Sequence, residues 1–170
     1  CTAVAGRDVP ANFGDPAAAE PGGVRRALAC IESATALAAS HPPLPGSTRF
    51  GNKAFRTWME ALRGQAAGEM ATLAQGCPND AAVSAELAGY WIRSFGDASR
   101  LDYGTGHEAA FLVWLFVLQS NGLVVDLCAA ALRVYPAYLR LVRLLQRIYR
   151  LEPAGSHGVW SLDDYQFLPF

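Results

Sequence analysis

The sequence predicts an all-α protein, a single-domain, bundle-like fold of about five helices. Three observations carry that expectation. Apolar residues recur at three- and four-residue spacings over long segments, and clusters of Gly, Pro, Asn and Asp separate those segments. No stretch reads convincingly as a strand. The chain has 170 residues, 52% of them hydrophobic, enough to bury roughly two-thirds of its unfolded surface around one core.

Residues 1 to 22 carry Gly, Pro and Asn without either period, so an irregular arm is expected there, followed by one domain over residues 23–170. From Gly23 to Ser40, the residues Val24, Leu28, Ile31, Ala34 and Ala38 fall on one helical face, and His41-Pro42-Pro43-Leu44-Pro45-Gly46 ends it. A second helix is predicted from about Asn52 to Gln75, with Phe55, Trp58, Met59, Leu62, Ala66, Met70 and Leu73 as its stripe and Gly76 as its stop. Asn79 or Asp80 caps a third, through Val83, Leu87, Tyr90 and Trp91, which stops by Gly96. Thr105-Gly106-His107-Glu108 has the form of a capping box, so the fourth helix starts there and closes near Asn121-Gly122. Asp126 caps a long fifth helix to about Arg150, kinked at Pro136, where the N–H is missing and the ring clashes. Its apolar side is Leu127, Ala131, Val134, Tyr138, Leu141, Leu145 and Ile148, while Arg133, Arg140, Arg143, Arg147 and Arg150 share another.

Composition narrows the function classes. A net charge of -1 supplies no field to gather nucleic acid or anionic lipid. The longest apolar run, Ala109 to Leu118, falls well short of the about 20 residues a bilayer crossing requires, so neither nucleic acid nor membrane is an expected partner. Cys1, Cys30, Cys77 and Cys128 are scattered without a C-x-x-C spacing, which speaks against a zinc ribbon or redox pair and for reduced, intracellular thiols. The first residues lack a continuous apolar core of the signal-peptide kind, and Cys1 in place of Met suggests a fragment of a longer all-α protein.

Two stretches carry chemistry. In Arg100-Leu101-Asp102-Tyr103-Gly104-Thr105-Gly106-His107-Glu108, two glycines admit close backbone approach, the following helix offers free N–H groups and its positive dipole end, and Arg100 stands nearby. Together these suit a phosphate. The plainer alternative is a tight turn in which Thr105 and Glu108 cap the helix and Arg100 pairs with Asp102. The dinucleotide fingerprint that Gly104-x-Gly106-x-x-Ala109 imitates is a decoy, because the residues before it are too polar for a buried strand.

The second stretch runs from Leu151 to Phe170, where Asp163 and Asp164 beside a glycine-rich loop offer the hard oxygen ligands that Mg²⁺ takes together with phosphate and water. Here the alternative is that the aspartates begin a helical turn and Trp160, Tyr165, Phe167 and Phe170 fill the core. A serine hydrolase would need the G-x-S-x-G elbow, which is lacking. A transition-metal site from His107, His157 and Asp164 lacks H-E-x-x-H spacing.

Four blocks in register then meet something familiar: Phe50-Gly51-Asn52-Lys53-Ala54-Phe55-Arg56-Thr57-Trp58, Arg100 to Glu108, Glu152 to Trp160, and Leu162 to Phe170. In order and spacing they resemble the phosphotyrosyl phosphatase activator family, also called the protein phosphatase 2A activator, over about Ile31 to Phe170. The resemblance implies an all-α fold and an activator that binds the catalytic subunit of protein phosphatase 2A with ATP and Mg²⁺, favouring its active, metallated form. It also implies peptidyl-prolyl cis-trans isomerase activity on a prolyl peptide, and residence in the cytoplasm, with the nucleus as a second location. Stand-alone isomerase action, or a truncated relative without function, are the alternatives.

Carried over by residue, the resemblance assigns Arg100, Thr105 and Gly106 to ATP phosphate, and Gly158 and Asp164 to Mg²⁺. Asp102, Tyr103, Gly104, His107, Glu108, Trp160, Asp163, Tyr165 and Phe167 are the candidates for pocket lining, the aromatics Trp160, Tyr165 and Phe167 for a wall against a prolyl substrate. No catalytic residue is assigned. Ser161 departs from the family's usual glycine, and Pro136 interrupts a helix that runs more smoothly elsewhere. Family members extend beyond both ends, so weak or absent ATP binding is expected of this chain alone.

Overall fold

A computed structural model describes residues 22–46, 51–155 and 164–169. Within them the chain forms α1 (Gly22–Ser40), α2 (Ala54–Ala74), α3 (Asp80–Arg93), β1 (Asp102–Tyr103), α4 (Thr105–Ser120), α5 (Leu127–Ala129), a π-helical segment (Ala130–Val134), α6 (Tyr135–Tyr149) and β2 (Glu152–Pro153). The α5, π and α6 pieces follow one another without a break, so five helical rods make the body, as the periodicity predicts. Residues 1–21, most of the expected arm, lie outside the described residues.

Apolar spacing decides the packing. α2 buries Phe55, Trp58, Met59, Leu62, Ala66, Met70 and Leu73, the stripe predicted, and α1 buries Val24, Ile31, Ala34 and Ala38 with Ala27 and Cys30. Helix packs on helix in chain order, α1 on α2, α2 on α3, α3 on α4, and α6 closes back onto α1. A continuous run of rings threads this interior. Phe55 lies between Tyr149 of α6 (5.6 Å) and Trp58 (5.7 Å, stacked), and Trp58 meets Phe95 edge-on at 5.6 Å. Phe95 meets Trp91 at 4.8 Å, Trp91 meets Trp114 of α4 at 4.8 Å, and Phe111 stacks on Tyr138 at 3.7 Å and 2°. Each offset or edge-on pair adds about 0.5–1.5 kcal/mol to the area its rings bury.

The expected kink at Pro136 takes another form. An α-helical turn would drive the proline ring into the carbonyl four residues back, but the π segment ends at Val134, and α6 begins with Tyr135-Pro136 in its first turn. The widened turn accommodates the ring and the rod continues. Asp126 caps the rod as predicted, its Oδ1 accepting from the N–H of Ala129 at 2.9 Å. Leu127, placed on the apolar side by its spacing, stands half exposed in the opening turn.

Two further differences bear on the site. No strand is visible in the sequence, yet β1 and β2 pair in parallel, Asp102 opposite Glu152 and Tyr103 opposite Pro153. A two-residue ladder is too short to leave an alternation behind. At α3, Asn79 occupies the cap position in a left-handed conformation (φ 59°) with no side-chain cap bond. Its carbonyl instead accepts from Ala82 and Val83 N–H, at 2.9 and 3.1 Å. No helix among the described residues is long and apolar enough to cross a membrane.

Candidate functional site

The loop after α3 is shaped by Gly96, whose φ of 120° is a conformation that favours glycine. A Cβ there would stand 2.5 Å from the carbonyl oxygen of Asp102. That close approach lets Asp97 N–H donate to Asp102 O at 3.0 Å, closing a tight loop between them. Inside it, Asp97 Oδ1 accepts from Ser99 N–H (2.8 Å), Ser99 Oγ (2.5 Å) and Arg100 N–H (3.0 Å). Burial works to raise the Asp97 carboxyl, but these bonds and the Arg100 charge together hold it below the usual carboxylate value. Arg56 of α2 braces the loop from outside, donating through Nε to Ala98 O at 3.0 Å and through Nη2 to Ser99 O at 3.2 Å.

This turn presents Arg100, whose side chain is 60% exposed. Its guanidinium grips Asp102 two-pronged, Nε to Oδ2 at 2.7 Å and Nη2 to Oδ1 at 3.4 Å, while Asp102 itself is buried. The pairing of the plainer reading is therefore present. It fixes the plane of the cation without removing it from solvent.

Leu101–Tyr103 of the first stretch and Glu152–Ala154 of the second run side by side. Glu152 N–H donates to Leu101 O at 3.0 Å and Ala154 N–H to Tyr103 O at 2.9 Å, so the chain leaving α6 is stitched to the loop that enters α4. Beneath the ladder, Tyr138 donates to Ser94 O at 2.7 Å, and Tyr103 meets the Tyr138 hydroxyl at 2.6 Å. Burial pushes both phenols well above their ordinary value, and they stay neutral donors.

The capping box does not form. Gly104, extended at φ -162°, is the cap residue, Thr105 is the first residue of α4, and no side chain caps the helix. Gly104 O accepts from His107 N–H at 2.9 Å and Glu108 N–H at 3.4 Å, and helix geometry leaves the N–H groups of Thr105 and Gly106 without a partner inside the helix. Glu108, expected to reach back to the cap, turns inward and is 1% exposed. Its Oε1 accepts from the Tyr135 hydroxyl at 2.5 Å, and its Oε2 accepts from the backbone N–H of Phe167 at 2.7 Å and Leu168 at 3.2 Å. Phe167 and Leu168 thus sit on the first turn of α4. Burial first, and the Glu108 hydrogen bond and charge next, raise the Tyr135 phenol as well.

Around this centre, His107 bonds through Nδ1 with Arg93 O at 2.7 Å, its Nε2 standing 4.0 Å from Asp102 Oδ1. Gly106 is exposed, and a Cβ there would meet nothing within 4 Å among the described residues. Asp102, Tyr103, Gly104 and Glu108 lie buried beneath the loop. On the tail, Asp164 and Phe167 are exposed, Tyr165 donates to Leu151 O at 2.6 Å, and the amide nitrogen of buried Gln166 has no partner. Gly158, Trp160 and Asp163 lie outside the described residues. Tyr135, Tyr138 and Ser94 were not visible to sequence reasoning, because nothing in a helix stripe says which hydroxyl will find a distant carboxylate or carbonyl. Asn52, quoted only as part of a block, is buried and holds three turns together. Its Oδ1 accepts from Leu44 and Ala54 N–H (3.1 and 3.0 Å), its Nδ2 donates to Leu44 O (3.0 Å), and its own N–H donates to Tyr149 O (2.6 Å).

Fold and site together define an all-helical protein whose polar groups gather where a short ladder, a helix N-terminus and a folded-back tail meet. The chain belongs to the phosphotyrosyl phosphate activator (PTPA) protein family, whose model matches residues 2–170. It is 45% identical over 150 residues to the serine/threonine-protein phosphatase 2A activator of Drosophila melanogaster, covering 86% of this chain and 37% of that protein. With serine/threonine-protein phosphatase 2A activator 1 of Schizosaccharomyces pombe it shares 47% over 131 residues, 76% of this chain and 40% of that one. The crystal structure of the PP2A phosphatase activator Ypa1 PTPA1 superposes with a TM-score of 0.73 at 33% identity, over 85% of this chain and 47% of that chain. The chain therefore spans less than half the length of these relatives.

Proposed function

We propose that this chain acts as part of an activator of protein phosphatase 2A, binding the phosphatase catalytic subunit with ATP and Mg²⁺ at the α4 end. The observation that supports this reading most directly is the pair of bonds from Phe167 and Leu168 N–H to Glu108, which brings the tail carrying Asp164 to the helix whose first turn carries Thr105 and Gly106.

The residues present fit a polyphosphate. Thr105 and Gly106 offer N–H groups at a helix N-terminus, no packing contact among the described residues occupies the space above Gly106, and Arg100 presents a cation oriented by Asp102. Among the described residues no group of three His, Cys, Asp or Glu could hold a metal by itself. Mg²⁺ suits that situation, since it takes one or two carboxylates and completes its shell with phosphate and water. Asp164 would supply the carboxylate, and Gly158, outside the described residues, completes the assignment.

Bound nucleotide and Mg²⁺ would supply charge at this end, held by Arg100, the Thr105 and Gly106 N–H groups and Asp164. This chain's part is to orient: Arg100 and the α4 N-terminus hold phosphate, Asp102 and His107 keep the loop in register, and the tail presents its acid. Activation then follows from binding one conformation of the phosphatase better than another. Peptidyl-prolyl isomerase activity is the second reading, favoured by exposed Phe167 beside the same turn.

Because nucleotide binding by this chain alone is expected to be weak, a pull-down of the phosphatase catalytic subunit with and without saturating Mg·ATP is the test. Retention that requires Mg·ATP and is lost in Arg100→Ala and Asp164→Ala supports the proposal. Retention indifferent to nucleotide and to both substitutions overturns the nucleotide site, and no retention overturns the whole. Prolyl isomerisation that persists in both variants would support the second reading.

A further inference from the structure

We infer that Glu108 is a positioning residue, a buried latch that holds the tail on α4 and so sets where Asp164 stands; the consequence for nucleotide rests on the reading above. Glu108 is 1% exposed, and both its carboxylate oxygens are committed to partners distant in sequence. Oε1 takes the Tyr135 hydroxyl, and Oε2 takes two consecutive backbone N–H groups, Phe167 and Leu168. Paired backbone donors on one oxygen grip the chain itself rather than a side chain, so the hold does not depend on which residues stand at 167 and 168.

Phe167 and Leu168 are exposed, at 69% and 44%, and bury too little apolar surface to keep this segment in place by packing. Tyr165 offers a second tie, through its hydroxyl to Leu151 O. Tyr165 also packs against the core and Gln166 is buried, so the Glu108 bonds are one of the ties on this segment among the described residues, and Asp164 lies only three residues before Phe167. Tyr135 opens α6 directly after the π segment, so the widened turn that accommodates Pro136 also delivers the hydroxyl that fixes the carboxylate from the other side.

A glutamine at 108 can make the same contacts without charge. Its carbonyl oxygen accepts from Phe167 and Leu168, and its amide donates to the Tyr135 oxygen. Alanine makes none of them. The measurement is amide hydrogen exchange of the peptide containing Phe167 and Leu168, read against peptides of α2 as an internal control, together with Mg·ATP-dependent retention of the phosphatase subunit. In Glu108→Ala, exchange at the tail should rise by about tenfold or more while α2 changes little. Glu108→Gln should stay within about threefold of the parent, and Tyr135→Phe should fall between.

Equal exchange in the parent and Glu108→Ala overturns the latch, whatever the partner does. Faster exchange in α2 and tail alike assigns Glu108 to the fold as a whole and overturns it too. If the tail loosens but the parent shows no Mg·ATP-dependent retention, the latch stands and the nucleotide reading falls. If retention tracks tail exchange across the three variants, both stand.

Discussion

The helical interior and the α4 end are built from the same rods but held by different forces. Through the interior, Phe55, Trp58, Trp91, Phe95, Trp114 and Phe111 pass contact from ring to ring, all of them fully buried. At the α4 end the buried groups are Asp102, Glu108 and the hydroxyls of Tyr103 and Tyr138, each kept by a named hydrogen bond. Packing free energy scales with area and tolerates approximate shape. A buried polar group is stabilising only while its partner stays, because a missing partner leaves a desolvated charge or dipole behind. The interior therefore rests on summed area, whereas each buried group at the α4 end depends on one particular partner.

The largest expected effect tests the first half of that contrast. Trp114 has Trp91 at 4.8 Å and Phe111 at 5.4 Å, with its indole N–H 3.3 Å from the Met70 sulfur. Trp114→Ala should cost about 3–5 kcal/mol in urea unfolding. A loss under about 1 kcal/mol would mean that the ring run is not what holds the rods together. Next comes Asn52→Ala, which removes a polar side chain buried in the interior's territory. Three side-chain bonds vanish at once, freeing Leu44 and Ala54 backbone groups, and about 2–3 kcal/mol should go with them. If the loss is that large and global, the division between the regions is one of partners rather than of location.

How much could be read in advance follows the same division. The stripe Phe55, Trp58, Met59, Leu62, Ala66, Met70 and Leu73 is legible because helical period and burial are one fact seen twice. The stops at Gly76, Gly96 and Gly122 are legible because each takes a positive φ that favours glycine, and sequence shows glycine directly. Glu108 departs from the capping box for a physical reason: that box is a local pattern, and the carboxylate meets partners 27 and 59 residues away, at Tyr135 and Phe167. Local spacing carries no information about such a meeting. The β1–β2 ladder escaped notice likewise, although it joins the two stretches singled out for chemistry. Residue types drew attention to these stretches, while tertiary contacts set which partner each described member has.

Tyr138 belongs to both regions, which makes it the finer probe. Its ring stacks on Phe111 in the interior, while its hydroxyl serves Ser94 O and Tyr103 at the polar end. Tyr138→Phe keeps the first and deletes the second, and about 1–2 kcal/mol should be lost. Unchanged stability would show that the polar end adds nothing to the global fold.

The smallest expected effect concerns Asp97, and its sign comes from protonation. Although burial favours the neutral acid, hydrogen bonds from Ser99 and Arg100 and the Arg100 charge hold the folded carboxyl below its unfolded value. A depressed folded pKa contributes stability that is fully present above the unfolded value, near 3.8, and is lost as pH falls through the folded one. The group is partly exposed, its side chain 33% accessible, so solvent screening keeps the gain to about 1 kcal/mol or less. Asp97→Asn should thus be less stable than the parent at pH 6 by that small margin, and the margin should shrink steadily below about pH 4. Urea midpoints for both proteins from pH 6 to pH 3 read this directly. A gap that widens toward acid would reverse the sign and show that burial, rather than the turn's hydrogen bonds, governs this carboxyl.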